Sequence, residues 1–263
     1  MMHSYREYIF GVVTAYDTSN DVAIEENNDI ATKSVTFAAV FSLLCFGLPK
    51  LIQLFYPKFY QGLSEKKKKE LPTYSACLAH HIVVVAWGLP RIYRDWNAFP
   101  DCATNVAEGL AFVPYSFGYL FGDTVFLAIQ EALAGSPSFL IHHSLSFLLC
   151  YGVVVAPRSV TVYIPHILIT EISSIFFAFA WFLRGAGYER NTSQLLFWCE
   201  LLFALSFFAF RIVNLLPVVL VMWATPNCSL LRAVLTLVYC LQLYWFSKIL
   251  LSLQKKSEKK SGV

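Results

Sequence analysis

Charge is scarce in this chain of 263 residues: Asp, Glu, Lys and Arg make up 14%, against 57% hydrophobic and 16% aromatic residues. A soluble domain normally carries roughly a quarter charged residues, so the composition excludes a water-soluble enzyme or binding module. With a mean hydropathy of +0.56, the chain is a membrane protein. A disulfide framework is missing as well. Of seven cysteines, Cys45, Cys77, Cys150, Cys199 and Cys240 fall within apolar runs, where cysteine acts as a small hydrophobe. Cys102 and Cys228 fall in expected loops, and no C-x-x-C occurs, which excludes the common zinc and thiol-redox motifs. Residues 1–33 lack the basic-then-apolar pattern of a secretory leader; their "YDTSNDVAIEENND" is polar and partly acidic. The first hydrophobic segment is therefore expected to act as its own insertion signal. Histidine boxes are absent too: no H-x-x-x-H or H-x-x-H-H appears, which argues against desaturase, hydroxylase and elongase chemistry.

Long apolar runs are what the chain does have. Seven of them, at 35–56, 74–92, 110–133, 139–156, 160–183, 195–223 and 230–253, approach the roughly 20 residues that cross a bilayer as a helix. They are continuous rather than alternating, so they suit helices and not strands, the hydrogen-bonded backbone being obligatory in lipid. The expected fold is all-α and polytopic, with seven transmembrane helices. Pro217 is expected to break or bend the sixth.

Lysine and arginine set the orientation. Lys58 and Lys66 to Lys69 follow the first span, Arg184 and Arg190 follow the fifth, and Lys255, Lys256, Lys259 and Lys260 form the tail. The opposite loops mix Arg91, Arg94 and Arg158 with Asp95, Asp101 and Glu108. Residues 1–33 are thus expected to form a polar lumenal segment, 34–57 an extra N-terminal helix, and 254–263 a basic cytosolic tail. Lys66, Lys67, Lys68 and Lys69 are either a topology anchor or a contact for anionic headgroups, each surface lysine adding about 1 kcal/mol. Membrane lipids are the expected partners; nucleic acid is not one.

Ionisable residues inside spans usually face a bundle interior and mark function. Here they are His80, His81, Asp123, His142, His143, His166, Glu171, Glu200 and Arg211. His142 and His143 are adjacent, so their side chains diverge by about 100° and cannot aim at one atom. His166 and Thr170 share a helical face with Glu171 at its edge, and Glu200 and Arg211, three turns apart, are expected on one stripe. Arg211 stays protonated and must find an anion: Glu171 or Asp123 in an ion pair, or a ligand's phosphate. The histidines suit interhelical hydrogen bonds or general base catalysis. His80, His142, His166 and Glu171 are also metal-ligand types, but without metal-site spacing, so no metal is expected.

Five stretches in order, "HHIVVVAWGL", "GYLFGD", "IHHSLSFLLCY", "HILITEISSIF" and "FFAFRIVNLLP", resemble the TLC domain of ceramide synthases, translocation-associated membrane proteins and a ceroid-lipofuscinosis protein. The resemblance covers residues 70–253 and is closest to TLC-domain proteins of unassigned activity. It implies a six-helix bundle around a lipid-accessible cavity, preceded by the extra helix, and residence in the endoplasmic reticulum. The tail "KKSGV" resembles a dilysine retrieval signal displaced by one position. The resemblance places His80, Asp123, His142, His143, Glu171 and Arg211 at family positions. Ceramide synthases follow the histidine pair with His-Asp and a further Asp on the next helix. Here Ile167 follows His166, and no aspartate lies between 157 and 185. The reading that follows is a protein that binds or senses a lipid in the cavity, lined by His80, Asp123, His166, Glu171 and Arg211, and influences membrane lipid homeostasis, without a cofactor. The alternative is an acyltransferase using acyl-CoA as co-substrate and His142 and His143 as catalytic residues. The topology puts the sequon at Asn227 in the lumen and that at Asn191 in the cytosol. Glycosidase treatment of the protein made in a eukaryotic cell should therefore never release a glycan from Asn191; a glycan there inverts the topology.

Overall fold

The computed structural model describes residues 23–98, 102–129, 137–155, 163–224 and 228–261, and those residues are helical apart from short turns. Helix α1 is Ala23–Phe55, α2 Pro57–Gly62, α3 Glu65–Ala98, α4 Cys102–Ile129 and α5 Pro137–Val155. Then come α6 (Ile164–Leu168), a 3₁₀ turn (Ile169–Glu171), α7 (Ile172–Gly185) and α8 (Gln194–Ser206). A π-helical segment (Phe207–Val213), α9 (Leu215–Ala224) and α10 (Ser229–Ser261) complete the chain. Among the described residues five stretches are long and apolar enough to cross a membrane: Ile30–Phe55, Glu65–Arg94, Ile164–Gly185, Gln194–Ala224 and Ser229–Ser252. The apolar part of α5, Ile141–Val153, is shorter. The Asn227 sequon lies outside the described residues.

Local chemistry sets several boundaries beyond the apolar runs. Helix α1 already begins at Ala23, within the polar segment 1–33 that precedes the first apolar run. Cys102, expected in a loop, begins α4. The lysine run, expected in a loop, forms the first turns of α3. Ser64 caps that helix by accepting from the Lys67 amide at 3.3 Å, and Lys68–Glu65 (2.8 Å) and Lys66–Glu70 (3.8 Å) pair along it, as i,i+3 and i,i+4 neighbours do. Pro57 opens α2, where its missing N–H costs nothing. The break in the sixth span lies one turn before Pro217. Without a proline N–H, the Val213 carbonyl has no α-helical donor, and the backbone shifts to i→i−5 bonding, Asn214 N donating to Ala209 O at 3.0 Å.

The packing order forms a ring. Helix α3 meets α4, α4 meets α5, α5 meets α10, α10 meets the π segment and α9, and α6 and α7 return to α3. One apolar core lies between α9 and α10, with Leu215, Val218, Met222, Leu231, Leu235 and Val238. A second, around Phe41, Cys45, Ala76 and Tyr119, joins α1 to α3 and α4. Outward-facing side chains such as Leu205, Phe208, Leu220 and Leu237 are exposed, the pattern of a bundle solvated by lipid. Helix α1 lies flat on α4 because Gly118 and Gly122 carry no side chain. A Cβ at Gly118 would sit 2.4 Å from the Phe37 Cβ and 2.7 Å from the Ala38 nitrogen, but at Gly122 nothing would be nearer than 3.3 Å. Gly118→Ala should therefore separate α1 from α4 and lower stability by about 1–3 kcal/mol. Gly122→Ala should be milder, its gain in helix propensity offsetting the contact; thermal melting of both variants in detergent checks this contrast.

Candidate functional site

The ring encloses a cavity of about 610 Å³ whose wall combines apolar side chains, among them Leu149, Leu235 and Val238, with polar ones from α3, α4, α5, the 3₁₀ turn, α7, the π segment and α10. Arg211, on the π segment, is 5% exposed and anchors the polar side. Its Nε donates to the Thr170 carbonyl at 3.1 Å and to Ser173 Oγ at 2.8 Å. Nη1 reaches Gln242 Oε1 at 3.1 Å. Nη2 donates to Glu171 Oε2 at 2.9 Å and to Ser174 Oγ at 2.7 Å, and the guanidinium lies 5.3 Å from the Phe207 ring centroid. Between an ion pair and an open anion site, this geometry selects the ion pair, since most of the five guanidinium N–H groups are engaged.

Backbone geometry brings Glu171 to this arginine. Thr170 Oγ1 donates back to the Ile167 carbonyl at 2.6 Å and Ser173 Oγ to the Thr170 carbonyl at 3.0 Å, local bonds that compete with the α ladder. The chain tightens into the 3₁₀ turn Ile169–Glu171, advancing each residue about 20° further round the axis than an α-helix does. Glu171 Oε2 also accepts from Ser174 Oγ at 2.6 Å and lies 3.2 Å from His81 Nδ1. His81 Nε2 in turn lies 2.6 Å from Cys77 Sγ.

A second polar group sits across the cavity. Asp123, 1% exposed, has His143 Nε2 3.4 Å from its Oδ2, and His143 Nδ1 lies 3.3 Å from Thr124 Oγ1. Thr73 and Tyr119 also stand beside the Asp123 carboxyl, yet no well-aligned hydrogen bond reaches its oxygens from the described residues, and the buried Nδ1 of His142 has no partner there either. His142 packs edge-on to Trp245 at 5.2 Å. His80 stacks on Tyr119 at 3.9 Å and approaches Ser116 Oγ at 3.4 Å. Lys66, Lys69, Glu70 and Tyr74 line the cavity at the start of α3.

His80, Asp123, His142, His143, Glu171 and Arg211 all line this one cavity. His166 does not: its Nδ1 meets Asn214 Oδ1 at 2.9 Å, and Asn214 Nδ2 donates back to the His166 carbonyl at 2.8 Å. Glu200 shares no stripe with Arg211. It pairs with Arg184 at 2.5 Å and Arg190 at 3.0 Å, because the π segment shifts the register between them. Gln242, on the seventh apolar run, completes the Arg211 shell and carries no charge to mark it. Cys77 was legible only as a small hydrophobe, although its i,i+4 spacing to His81 was visible. Among the described residues no group of three His, Cys, Asp or Glu has metal-binding geometry.

A model of the TLC domain matches residues 72–251. The chain belongs to the TLC domain family. TLC domain-containing protein 4-B of Danio rerio is 36% identical over 165 residues, which cover 60% of this chain and 61% of that protein, so the chain spans under two thirds of that relative's length. No solved structure matches. The TLC match takes in every cavity residue named above except Lys66, Lys69 and Glu70 and leaves α1 outside it, although α1 packs on α4 in the same bundle.

Within this TLC domain the Arg211–Glu171 pair sits where removing one partner leaves a buried charge, a loss of about 3–5 kcal/mol. Arg211→Leu should therefore lower expression and the melting temperature. Adding Glu171→Gln should restore part of the loss, whereas Gln242→Leu should cost only about 1–3 kcal/mol. Fluorescence-detected size exclusion and melting of the three variants measure this order.

Proposed function

We propose that this TLC-domain protein binds or senses a lipid in its cavity and so influences membrane lipid homeostasis. In this reading it crosses the membrane of the endoplasmic reticulum seven times, with its N-terminus lumenal and its C-terminus cytosolic. Six of the crossings surround a cavity open to lipid. The observation that carries the reading is the pairing of a largely apolar wall with polar atoms that lack partners. An acyl chain fits against Leu149, Leu235 and Val238, while the Asp123 oxygens and His142 Nδ1 await a polar head. Buried polar atoms without partners are rare because each costs about 1–3 kcal/mol, and a bound head group removes that cost. Arg211 is occupied by protein, so this head group needs hydrogen-bond donors more than negative charge. Lys66, Lys67, Lys68 and Lys69, of which Lys66 and Lys69 reach the cavity, offer anionic headgroups a contact at the start of α3.

A second reading is acyl-CoA-dependent lipid acyltransfer, with acyl-CoA as co-substrate. It is favoured by His143 facing the Asp123 carboxylate at 3.4 Å, an imidazole and carboxylate placed to take a proton from an acceptor. His142, adjacent but turned to Trp245, would then serve the acceptor's binding.

Mass spectrometry of lipids that survive purification in mild detergent tests the first reading. One lipid class should be enriched over the host membrane, and Asp123→Asn together with His142→Ala should lower its recovery about tenfold, matching roughly 1.4 kcal/mol. Recovery that mirrors host membrane composition in both proteins contradicts it. Turnover of labelled acyl-CoA on hydroxyl or amine acceptors, lost in His143→Ala, would select the second reading.

A further inference from the structure

Cys77 lines the cavity, and neither reading gives it work. It stands one helical turn before His81 on α3, and its Sγ lies 2.6 Å from His81 Nε2. The other ring nitrogen, Nδ1, faces Glu171 Oε2 at 3.2 Å. An ionised carboxylate only accepts hydrogen bonds, so Nδ1 carries the proton and the lone pair of Nε2 points at the thiol. Glu171 is itself fixed by Arg211 Nη2 at 2.9 Å and Ser174 Oγ at 2.6 Å. A thiol, a base and a carboxylate that orients the base are thus in line, the arrangement by which proteins activate a nucleophile.

We propose that Cys77 accepts an acyl group from a long-chain acyl thioester and holds it in the cavity as an S-acyl cysteine, with His81 as base and Glu171 as positioning residue. His81 Nε2 takes the thiol proton as Sγ attacks the thioester carbonyl. The Sγ–carbon bond forms, the bond from that carbon to the donor sulfur breaks, and the proton passes from His81 to the departing thiolate. One thioester and one thiol give one thioester and one thiol, so no oxidant or reductant is consumed. Transfer to sulfur from an oxygen ester would run uphill, whereas exchange between thioesters is nearly isoenergetic; this selects the donor class.

Three further features fit that donor. Lys66 and Lys69 line the cavity and offer positive charge for the phosphates of a coenzyme A carrier; Lys69 is two turns, about 12 Å along the helix axis, from Cys77. The apolar wall of Leu149, Leu235 and Val238 takes the acyl chain. Asp123, nearly fully buried and without a well-aligned hydrogen bond to either oxygen, faces the same cavity with His143 at 3.4 Å, where a hydroxyl or amine acceptor would meet the acyl group. The inference rests on the cavity reading for the place of the chain, but not on the identity of any lipid found there.

The test incubates the full-length protein in detergent with palmitoyl-CoA and maps adducts by intact-protein and peptide mass spectrometry. The expected product is one acyl chain on Cys77, released by neutral hydroxylamine, absent in Cys77→Ser and formed at least tenfold more slowly in His81→Gln. The same samples are assayed for co-purified lipid. Lipid retained without a Cys77 adduct overturns this inference alone, and loss of both in a folded protein overturns the cavity reading as well. An adduct on a histidine or another cysteine, or an unchanged rate in His81→Gln, also overturns it. Cys77→Ser keeps the shape of the site and carries the comparison if His81→Gln does not fold.

Discussion

A guanidinium that cannot shed its proton, placed among apolar helices, constrains everything around it. Arg211 has no neutral form to retreat to, so the chain must bring acceptors from several elements to one point. It does so with the Thr170 carbonyl, Ser173, Glu171 and Ser174 from the 3₁₀ turn and the start of α7, and Gln242 from α10. These bonds tie three parts of the ring together. In a bundle where lipid tails are as apolar as the side chains, such polar contacts and close packing hold helices in register. The irregular backbone on both sides of the pair serves the same end. The 3₁₀ turn leaves the Thr170 carbonyl able to accept from Arg211, and the π segment sets the depth of Arg211 itself. The 3₁₀ turn lies against protein, whereas the π segment turns Phe207 and Arg211 inward and leaves Phe208 and Val213 on the outer face.

The arrangement has consequences for the chemistry of the cavity. Because Glu171 receives Arg211, Ser174 and His81 on one oxygen, its charge is compensated and its direction fixed, and it in turn fixes the tautomer of His81. The polar atoms left over are those of Asp123 and His142, on the far wall. Bonded and unbonded polarity are therefore separated across one cavity: the Arg211–Glu171 side is saturated by protein partners, and the Asp123–His142 side is less so.

Charge made much of this legible in the sequence. An ionisable residue inside an apolar run is conspicuous, so His80, Asp123, His142, His143, Glu171 and Arg211 could be picked out before any coordinate. Uncharged partners could not. Gln242 and Ser116 are ordinary helix residues, and their importance comes from what stands opposite. Registers were the other loss. A uniform 3.6-residue period places His166 near Glu171 and Glu200 with Arg211, but the 3₁₀ turn and the π segment each alter the rotation between those pairs. The result is that His166 faces Asn214, and Glu200 faces Arg184 and Arg190. Pro217 signalled a break in the sixth span but not its form, since a proline states which hydrogen bond is lost and not how the backbone compensates.

The order of chemistry along α3 suggests why this helix, more than the histidine pair on α5, decides what the cavity can hold. From its start it presents lysines, then Glu70 bonded to Trp181 Nε1 at 3.1 Å, then Tyr74 stacked on Trp181 at 4.4 Å, and deeper still Cys77, His80 and His81. Under the proposed reading, an amphiphile with an anionic end and a long chain that entered from the start of α3 would meet positive charge first, aromatic faces next and a thiol backed by an imidazole last. Coulomb attraction for the charged end remains strongest in the polar surroundings of the lysines, because moving that charge past Tyr74 would require its desolvation. The chain pays no such penalty, and burying it gains about 0.8 kcal/mol per methylene relative to water. In the proposed reading the same gradient would admit the chain and hold the anionic end back, leaving the bond that joins them near the middle of α3.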